Sequence, residues 1–222
     1  MKYSGFQLGH PEITLPPVIG VQSNGADRAW RFGQRLVSGL ALALLSPLIG
    51  LIYVLVKTTS RGPFLFAQER RGLNGATFKV YKVRTMRPGS ERSTALGTTH
   101  SNPSVTAVGR ALRQLKLDEL PQLWNVLCGD MALVGPRPIP MALDSELRKK
   151  IPGFEKRYEV RPGLSSLGQI CVKDNALGDK LVEDWKLRFT GEMHYVRSRG
   201  VRYDILIIMM TVLYVFKILI RK

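Results

Sequence analysis

The chain has 222 residues, 33 Lys and Arg against 17 Asp and Glu, and a formal net charge of +16. That length suits one globular domain plus appendages, and the charge points to polyanionic partners: nucleic acid, an anionic membrane surface or phosphorylated substrates. Two cysteines, Cys128 and Cys171, make neither a zinc-type pair nor a disulfide framework and read as packing residues in a reducing compartment.

Residues 1–27 carry Pro11, Pro16, Pro17 and four glycines without helical or alternating periodicity, so they read as a leader or loop. They fail as a secretory signal, because the first long apolar run begins only at Leu36 and no small-residue cleavage site follows it. From Leu36 to Val56 there are 21 consecutive uncharged residues, about the length of a bilayer-crossing helix. Length alone favours a spanning helix. Two facts favour re-entry instead. Ser46-Pro47 stands at the midpoint, where proline removes a backbone hydrogen bond and favours a kink, and the serine hydroxyl can satisfy a freed carbonyl. Arg28, Arg31 and Arg35 precede the run and Lys57, Arg61, Arg70 and Arg71 follow it, so the positive-inside tendency draws both ends to the cytoplasmic face.

Phe64–Ala67 and Thr77–Val83 read as short strands joined at a Leu73-Asn74-Gly75 corner, a hairpin or short loop. Arg70, Arg71, Lys79, Lys82, Arg84 and Arg87 fall within eighteen residues, and strand alternation points Lys82 and Arg84 to one face. A solvated basic face accounts for any one of them alone. Residues 88–107, rich in Ser, Thr, Gly and Pro, read as a loop over a site, with His100 a surface residue. Helical character resumes from Val108 to Leu117, and Arg113 stands five residues before Asp118.

Leu117 to Leu127 sets Asp118 and Glu119 side by side in an otherwise apolar stretch. A carboxylate resists burial among Leu and Trp unless a cation compensates it, and two together repel. Arginines, lysines or a metal ion must answer them, and a carboxylate so placed can serve as nucleophile or metal ligand. A helix start with Pro121 in its first turn accounts for the same residues equally well. Downstream, Gly135-Pro136-Arg137-Pro138 and Arg161-Pro162-Gly163 hold each arginine with little freedom, a useful way to present a planar guanidinium to a phosphate, although an arginine in an ordinary turn is the better account of either loop alone. From Asp179 to Val196 an apolar stripe predicts a helix with Trp185 in the core and Asp184 and Arg188 on its exposed side. The 12-residue apolar run from Ile205 to Phe216, followed by Lys217, Arg221 and Lys222, is short for a span and reads as an interfacial helix, with a buried core helix as the alternative.

In order and spacing, these segments resemble the bacterial sugar transferases, the monotopic phosphoglycosyl transferases. The resemblance runs from Arg28 to Lys222. It rests on the Ser46-Pro47 break, Gln68-Glu69-Arg70-Arg71-Gly72, Phe78 to Met86, Leu117 to Gln122, Gly129-Asp130-Met131, Val134 to Pro138 and Arg161-Pro162-Gly163-Leu164. It implies a bacterial inner-membrane enzyme, facing the cytoplasm, that moves a sugar 1-phosphate from a nucleotide sugar, a UDP-sugar by expectation, to polyprenol phosphate. It further implies Asp118 as the nucleophile and Glu119 as its support, with Mg²⁺ at both. Lys82, Arg113 and Arg161, and with them Arg84 and Arg137, are expected to hold the dyad or the phosphates. The implied fold is α+β and mostly helical: a re-entrant helix-break-helix over 28–58, a cytoplasmic catalytic part with a small β-hairpin over 59–203, and an interfacial helix over 204–222.

The chain departs from the family pattern after Arg161, where Ser165-Ser166-Leu167-Gly168-Gln169 lacks the usual tryptophan, and at Glu192, His194, Tyr195 and Arg197. These departures place the nucleotide or sugar subsite in question and motivate a rival reading as a non-catalytic membrane scaffold. Charge alone also fits a membrane-tethered nucleic-acid binder, but no recognition motif supports one, so nucleic acid is not an expected partner. A homodimer is left open.

Overall fold

The computed structural model describes residues 24–90, 102–171 and 179–220. Most of the leader, and residues 91–101 of the loop with His100, lie outside them. The described residues are mostly helical, with two small sheets. Helix α1 (Asn24–Thr59) is followed by strands β1 (Leu65–Arg71) and β2 (Thr77–Val83), then α2 (Ala107–Gln114), α3 (Gln122–Cys128), β3 (Ala132–Val134) and α4 (Met141–Lys150). Strand β4 (Gly163–Ser165) and helices α5 (Leu167–Cys171), α6 (Asp179–Ser198) and α7 (Val201–Ile220) complete the order.

Helix α1 is, by length and composition, the one helix among the described residues apolar enough to cross a membrane. It runs without interruption through Pro47, where the sequence suggested two helices flanking a break. Proline leaves the carbonyl four residues back, that of Ala43, without its amide donor. The Ser46 hydroxyl donates to that same Ala43 oxygen at 2.8 Å, and the helix continues. Both halves of α1 pack on the rest of the protein. In the first half Gln34 and Ser38 are buried and Gln34 accepts from Leu133 N; in the second, Ile52 and Val56 join Val83 and Leu112 in one cluster.

The hairpin pairs Leu65 with Val83 through Arg71 with Thr77, so β1 is longer than the four residues its apolar pattern suggested. At its corner, a 3₁₀ turn over Leu73–Gly75 places Asn74 at φ 55°, a conformation asparagine tolerates well. β3 and β4 form a parallel pair that holds the two arginine loops together. They approach so closely that a Cβ on Gly163 would lie 2.0 Å from Gly135 N, so glycine is needed at the crossing.

Asn125 fixes how α3 sits against β2. It is fully buried, its Oδ1 accepts from Tyr81 N at 3.2 Å and its Nδ2 donates to Lys79 O at 2.7 Å, as a neighbouring strand would. Replacing it with alanine would strand two buried backbone groups, so Asn125→Ala is expected to destabilise the protein by about 3 kcal/mol. An unfolding free energy from denaturant titration within about 1 kcal/mol of wild type would remove Asn125 from this role.

Two expectations about the C-terminal helices change. Arg188, placed by periodicity on the exposed side of α6, is buried with its guanidinium 5.2 Å from the Trp185 ring. The tail helix begins at Val201, and Tyr203, Asp204 and Ile207 on its first turns are core with Tyr195, Leu167 and Val134; Met209, Val212 and Leu213 are exposed. Its start is thus the core helix of the alternative reading. Asp204 accepts from Trp30 Nε1 at 2.6 Å and lies 2.8 Å from the Tyr195 hydroxyl, tying α1, α6 and α7 together.

Candidate active site

Asp118 and Glu119 occupy a 3₁₀ turn, Leu117–Glu119, that leads through Pro121 into α3. Lys116 precedes them at φ 58° and turns the chain after α2. The helix-start reading and the buried-carboxylate reading are therefore both true, because Pro121 opens α3 while both acids are buried.

Glu119 is the hub. Its Oε1 accepts from Lys82 Nζ and from Arg137 Nη2, each at 2.8 Å. Burial disfavours its charge, but Arg137 and Lys82, helped by Lys116, outweigh burial and hold the carboxyl well below the usual range. Asp118 differs. Its Oδ1 is buried without a hydrogen-bond partner among the described residues. Burial pushes its carboxyl up; Lys82, Lys116 and Arg113 pull it down and Glu119 adds to the rise. One acid is thus neutralised by contact, and its neighbour is held in a cationic field with an oxygen unused.

Among the sequence candidates, Lys82 and Arg137 meet at Glu119. Arg113 donates from Nε to Thr85 Oγ1 at 2.8 Å, and its charge acts on Asp118. Arg84 and Arg161 have other contacts. The Arg84 guanidinium donates to Ser60 O and Oγ at 2.7 and 2.9 Å at the end of α1, because β2 ends at Val83 and strand alternation no longer governs it. Arg161 donates to Gly129 O at 2.9 Å, at the far end of α3 from the dyad.

Arg70 belongs to the site, although in the sequence it stands only in the basic cluster and the Gln68 to Gly72 motif, with no role assigned to it there. It is buried, donates to Pro138 O at 3.2 Å and Gln68 Oε1 at 2.6 Å, and shares a sheet face with Lys82, since Phe66 pairs with Lys82 and alternates with Arg70. Burial, with Arg137, pushes its pKa down to about 9, still charged at neutral pH, while Glu119 opposes the fall. Hairpin register was the signal that could have found it.

The departures from the family pattern fall behind the site. Glu192 is buried, accepts from the Arg137 amide at 2.9 Å and pairs with Arg157 at 3.0 Å; Arg157 also donates to Arg137 O, so the pair grips the loop that carries Arg137. Ser166 and Leu167 are core residues, and the Ser165 hydroxyl bonds Thr211 of α7.

The described residues hold no group of three His, Cys, Asp or Glu side chains close enough to share a metal. The donor set still fits Mg²⁺, which takes one or two carboxylates and completes its shell with water and substrate phosphate oxygens. The unpartnered Asp118 Oδ1 has the free lone pairs such a shell would need, whereas Glu119 Oε1 is already taken by two cations.

The sequence profile of the bacterial sugar transferase family matches residues 27–218. A UDP-glucose:undecaprenyl-phosphate glucose-1-phosphate transferase of Caulobacter vibrioides is 40% identical over 200 residues, covering 90% of this chain and 74% of that protein. The enzyme of the same description from Escherichia coli K12 is 35% identical, again over 90% of this chain but only 43% of its own length. The exopolysaccharide production protein ExoY of Sinorhizobium fredii is 34% identical over 89% of this chain and 87% of its own. The chain belongs to the bacterial sugar transferase family.

Proposed function

We propose that this protein transfers a sugar 1-phosphate from a UDP-sugar to undecaprenyl phosphate by way of a phosphosugar ester on Asp118. The observation that carries this reading is the buried, unpartnered Asp118 oxygen beside a fully neutralised Glu119. An Asp118 oxygen attacks the sugar-linked phosphorus, an acyl-phosphate bond forms, and the bond to the nucleotide breaks to release UMP. The acceptor phosphate oxygen then attacks the same phosphorus, a pyrophosphate bond forms, and the Asp118 carboxylate is released. Two steps let a soluble donor and a lipid acceptor use one site in turn.

The attack brings a carboxylate to an already anionic diphosphate, so positive charge is the main requirement. Lys82, Arg113, Arg137 and Arg70 supply it. Mg²⁺, held by Asp118 with the substrate's own phosphate oxygens, would add Lewis-acid neutralisation of the diphosphate. Glu119 keeps Lys82 and Arg137 in register, so that neither collapses onto Asp118.

Membrane re-entry from the cytoplasmic face of the inner membrane completes the reading. Gly39 approaches Leu127 and Leu48 packs on the cluster around Ile52, which leaves eight residues between two contacts with one body. Eight helical residues rise about 12 Å, less than half of a roughly 30 Å hydrocarbon core. With Cys128 and Cys171 replaced by serine, single cysteines at Ser23 and Ser90 are expected to react with an impermeant thiol reagent from the cytoplasmic side only. Labelling from opposite sides would restore a spanning helix.

Purified protein incubated with a panel of UDP-sugars, undecaprenyl phosphate and Mg²⁺ tests the chemistry. UMP release and a donor-dependent mass increase on the Asp118 peptide are expected. If no sugar in the panel gives either product, the scaffold reading stands in its place. Chelation should reduce the rate at least tenfold.

A further inference from the structure

Away from the dyad, two guanidinium groups, those of Arg35 and Arg161, meet at Gly129 where α1 crosses the end of α3, and Arg31 stands one helical turn before Arg35. Gln34 and Ser38 are buried on the face of α1 that meets the body, with Trp30 one turn earlier bonded to Asp204. Arg31 and Arg35, one turn apart, flank that stripe. The Arg35 guanidinium lies against Gly129, which caps α3 at φ 90°: a Cβ there would fall 1.9 Å from Arg35 Nη2. Arg161 donates to the oxygen of the same glycine. Burial, then Arg31 and Arg35, pushes the Arg161 guanidinium down, and Asp130 opposes them.

Capping α3 explains only part of this arrangement. It occupies one of the five Arg161 donors, and the C-terminal end of a helix carries about half a negative charge. Among the described residues no carboxylate forms an ion pair with Arg35 or Arg161, and Asp27 reaches Arg31 at only 3.8 Å. Asp27 and Asp130 are the carboxylates near these three cations, so the cluster keeps a positive surplus. Arg35 is also the last charge before the uncharged run that starts at Leu36, and Leu36, Val37 and Leu40 beside it are exposed apolar side chains. Guanidinium groups at the water boundary, followed by an exposed apolar track, match a phosphate that carries acyl or prenyl chains.

We propose that Arg31, Arg35 and Arg161 bind the phosphate head of a membrane lipid at a site separate from the dyad. The seven residues of α3 lie between the two, about 10 Å, so a lipid phosphate held there does not reach Asp118 without moving. The site holds a lipid, either a bulk phospholipid or the polyprenol phosphate on its way to the dyad. The proposal rests on membrane association and not on the transfer chemistry.

Native mass spectrometry of the full chain tests it. The protein is released from micelles of phosphatidylcholine doped with either dioleoylphosphatidylglycerol or undecaprenyl phosphate, with a third sample given inorganic phosphate alone. Wild type is expected to retain a doped anionic lipid at least tenfold over phosphatidylcholine, and Arg35→Gln/Arg161→Gln to lose that preference. Lys149→Gln/Lys150→Gln, which removes the same charge from α4, should stay within twofold of wild type. A tenfold preference for undecaprenyl phosphate assigns the site to the acceptor; equal retention of both lipids assigns it to headgroups in general. The proposal is overturned if the double variant keeps its lipid, if the α4 control loses it equally, or if inorganic phosphate binds and neither lipid does. Should the double variant fail to fold, Arg35→Gln alone, at an exposed side chain, must lower retention at least threefold.

Discussion

Asp118→Asn is expected to abolish turnover, by at least about a thousandfold, and at the same time to raise the thermal midpoint. The rate falls because an amide oxygen cannot form the acyl-phosphate, and removing a covalent nucleophile costs several orders of magnitude. The stability argument follows from where the carboxylate sits. Burial raises the Asp118 pKa, with Lys82 opposing and Glu119 adding to the rise. A group whose folded value lies above its unfolded one favours the folded state most when protonated. That advantage is fully present below the unfolded aspartate value of about 3.9 and is lost as pH rises through the folded value. Above it the fold bears the cost of a buried charge, and asparagine relieves that cost. A gain of about 1 kcal/mol would raise the midpoint of a protein this size by roughly 2–4 °C. An unchanged turnover would end the nucleophile assignment. A lowered midpoint at neutral pH, with turnover lost, would leave the chemistry standing but show that Asp118 is not strained by its burial.

How much of this site could be read from the chain depended on whether local pattern or long-range register decided it. Asp118 and Glu119 were legible because two acids in an apolar stretch violate a burial rule, and rule-breaking is local. Arg137 was legible because prolines on both sides fix its backbone. Arg70 was not, since its place beside Lys82 depends on pairing Phe66 with Lys82 across a corner, and composition does not give register. Arg84 and Arg161 show the reverse: each lies in a strongly patterned segment, yet their guanidinium groups donate to Ser60 and to Gly129, contacts that no local pattern announces. At Pro47 the residues were legible and the consequence was not, because one serine hydroxyl supplies the hydrogen bond that proline removes. Arg188 breaks its helical periodicity because an aromatic ring can pack against a cation inside the fold.

Glu119→Gln should act on stability in the opposite direction from Asp118→Asn, and the pair of variants distinguishes two acids that stand one residue apart. Burial works against the Glu119 charge, but Arg137 and Lys82 hold its carboxyl well below the usual range. A depressed folded value contributes stability above the unfolded glutamate value of about 4.3, lost as pH falls through the folded value. Glutamine removes this contribution and leaves the Lys82 and Arg137 cations without their shared carboxylate. Breaking one side of a buried ion pair costs about 3–5 kcal/mol, so the neutral-pH midpoint should fall by roughly 10 °C. Wild type and variant should converge only when the pH drops below the folded Glu119 value. Turnover falls as well, by about a hundredfold, the usual loss when preorganised charge is misplaced. Lys82, released from Glu119, can move onto the unpartnered Asp118 oxygen and occupy the position from which attack must come. Restoring the negative charge with Glu119→Asp should recover part of the rate and part of the midpoint together, whereas a merely space-filling role would give recovery with glutamine and none with aspartate.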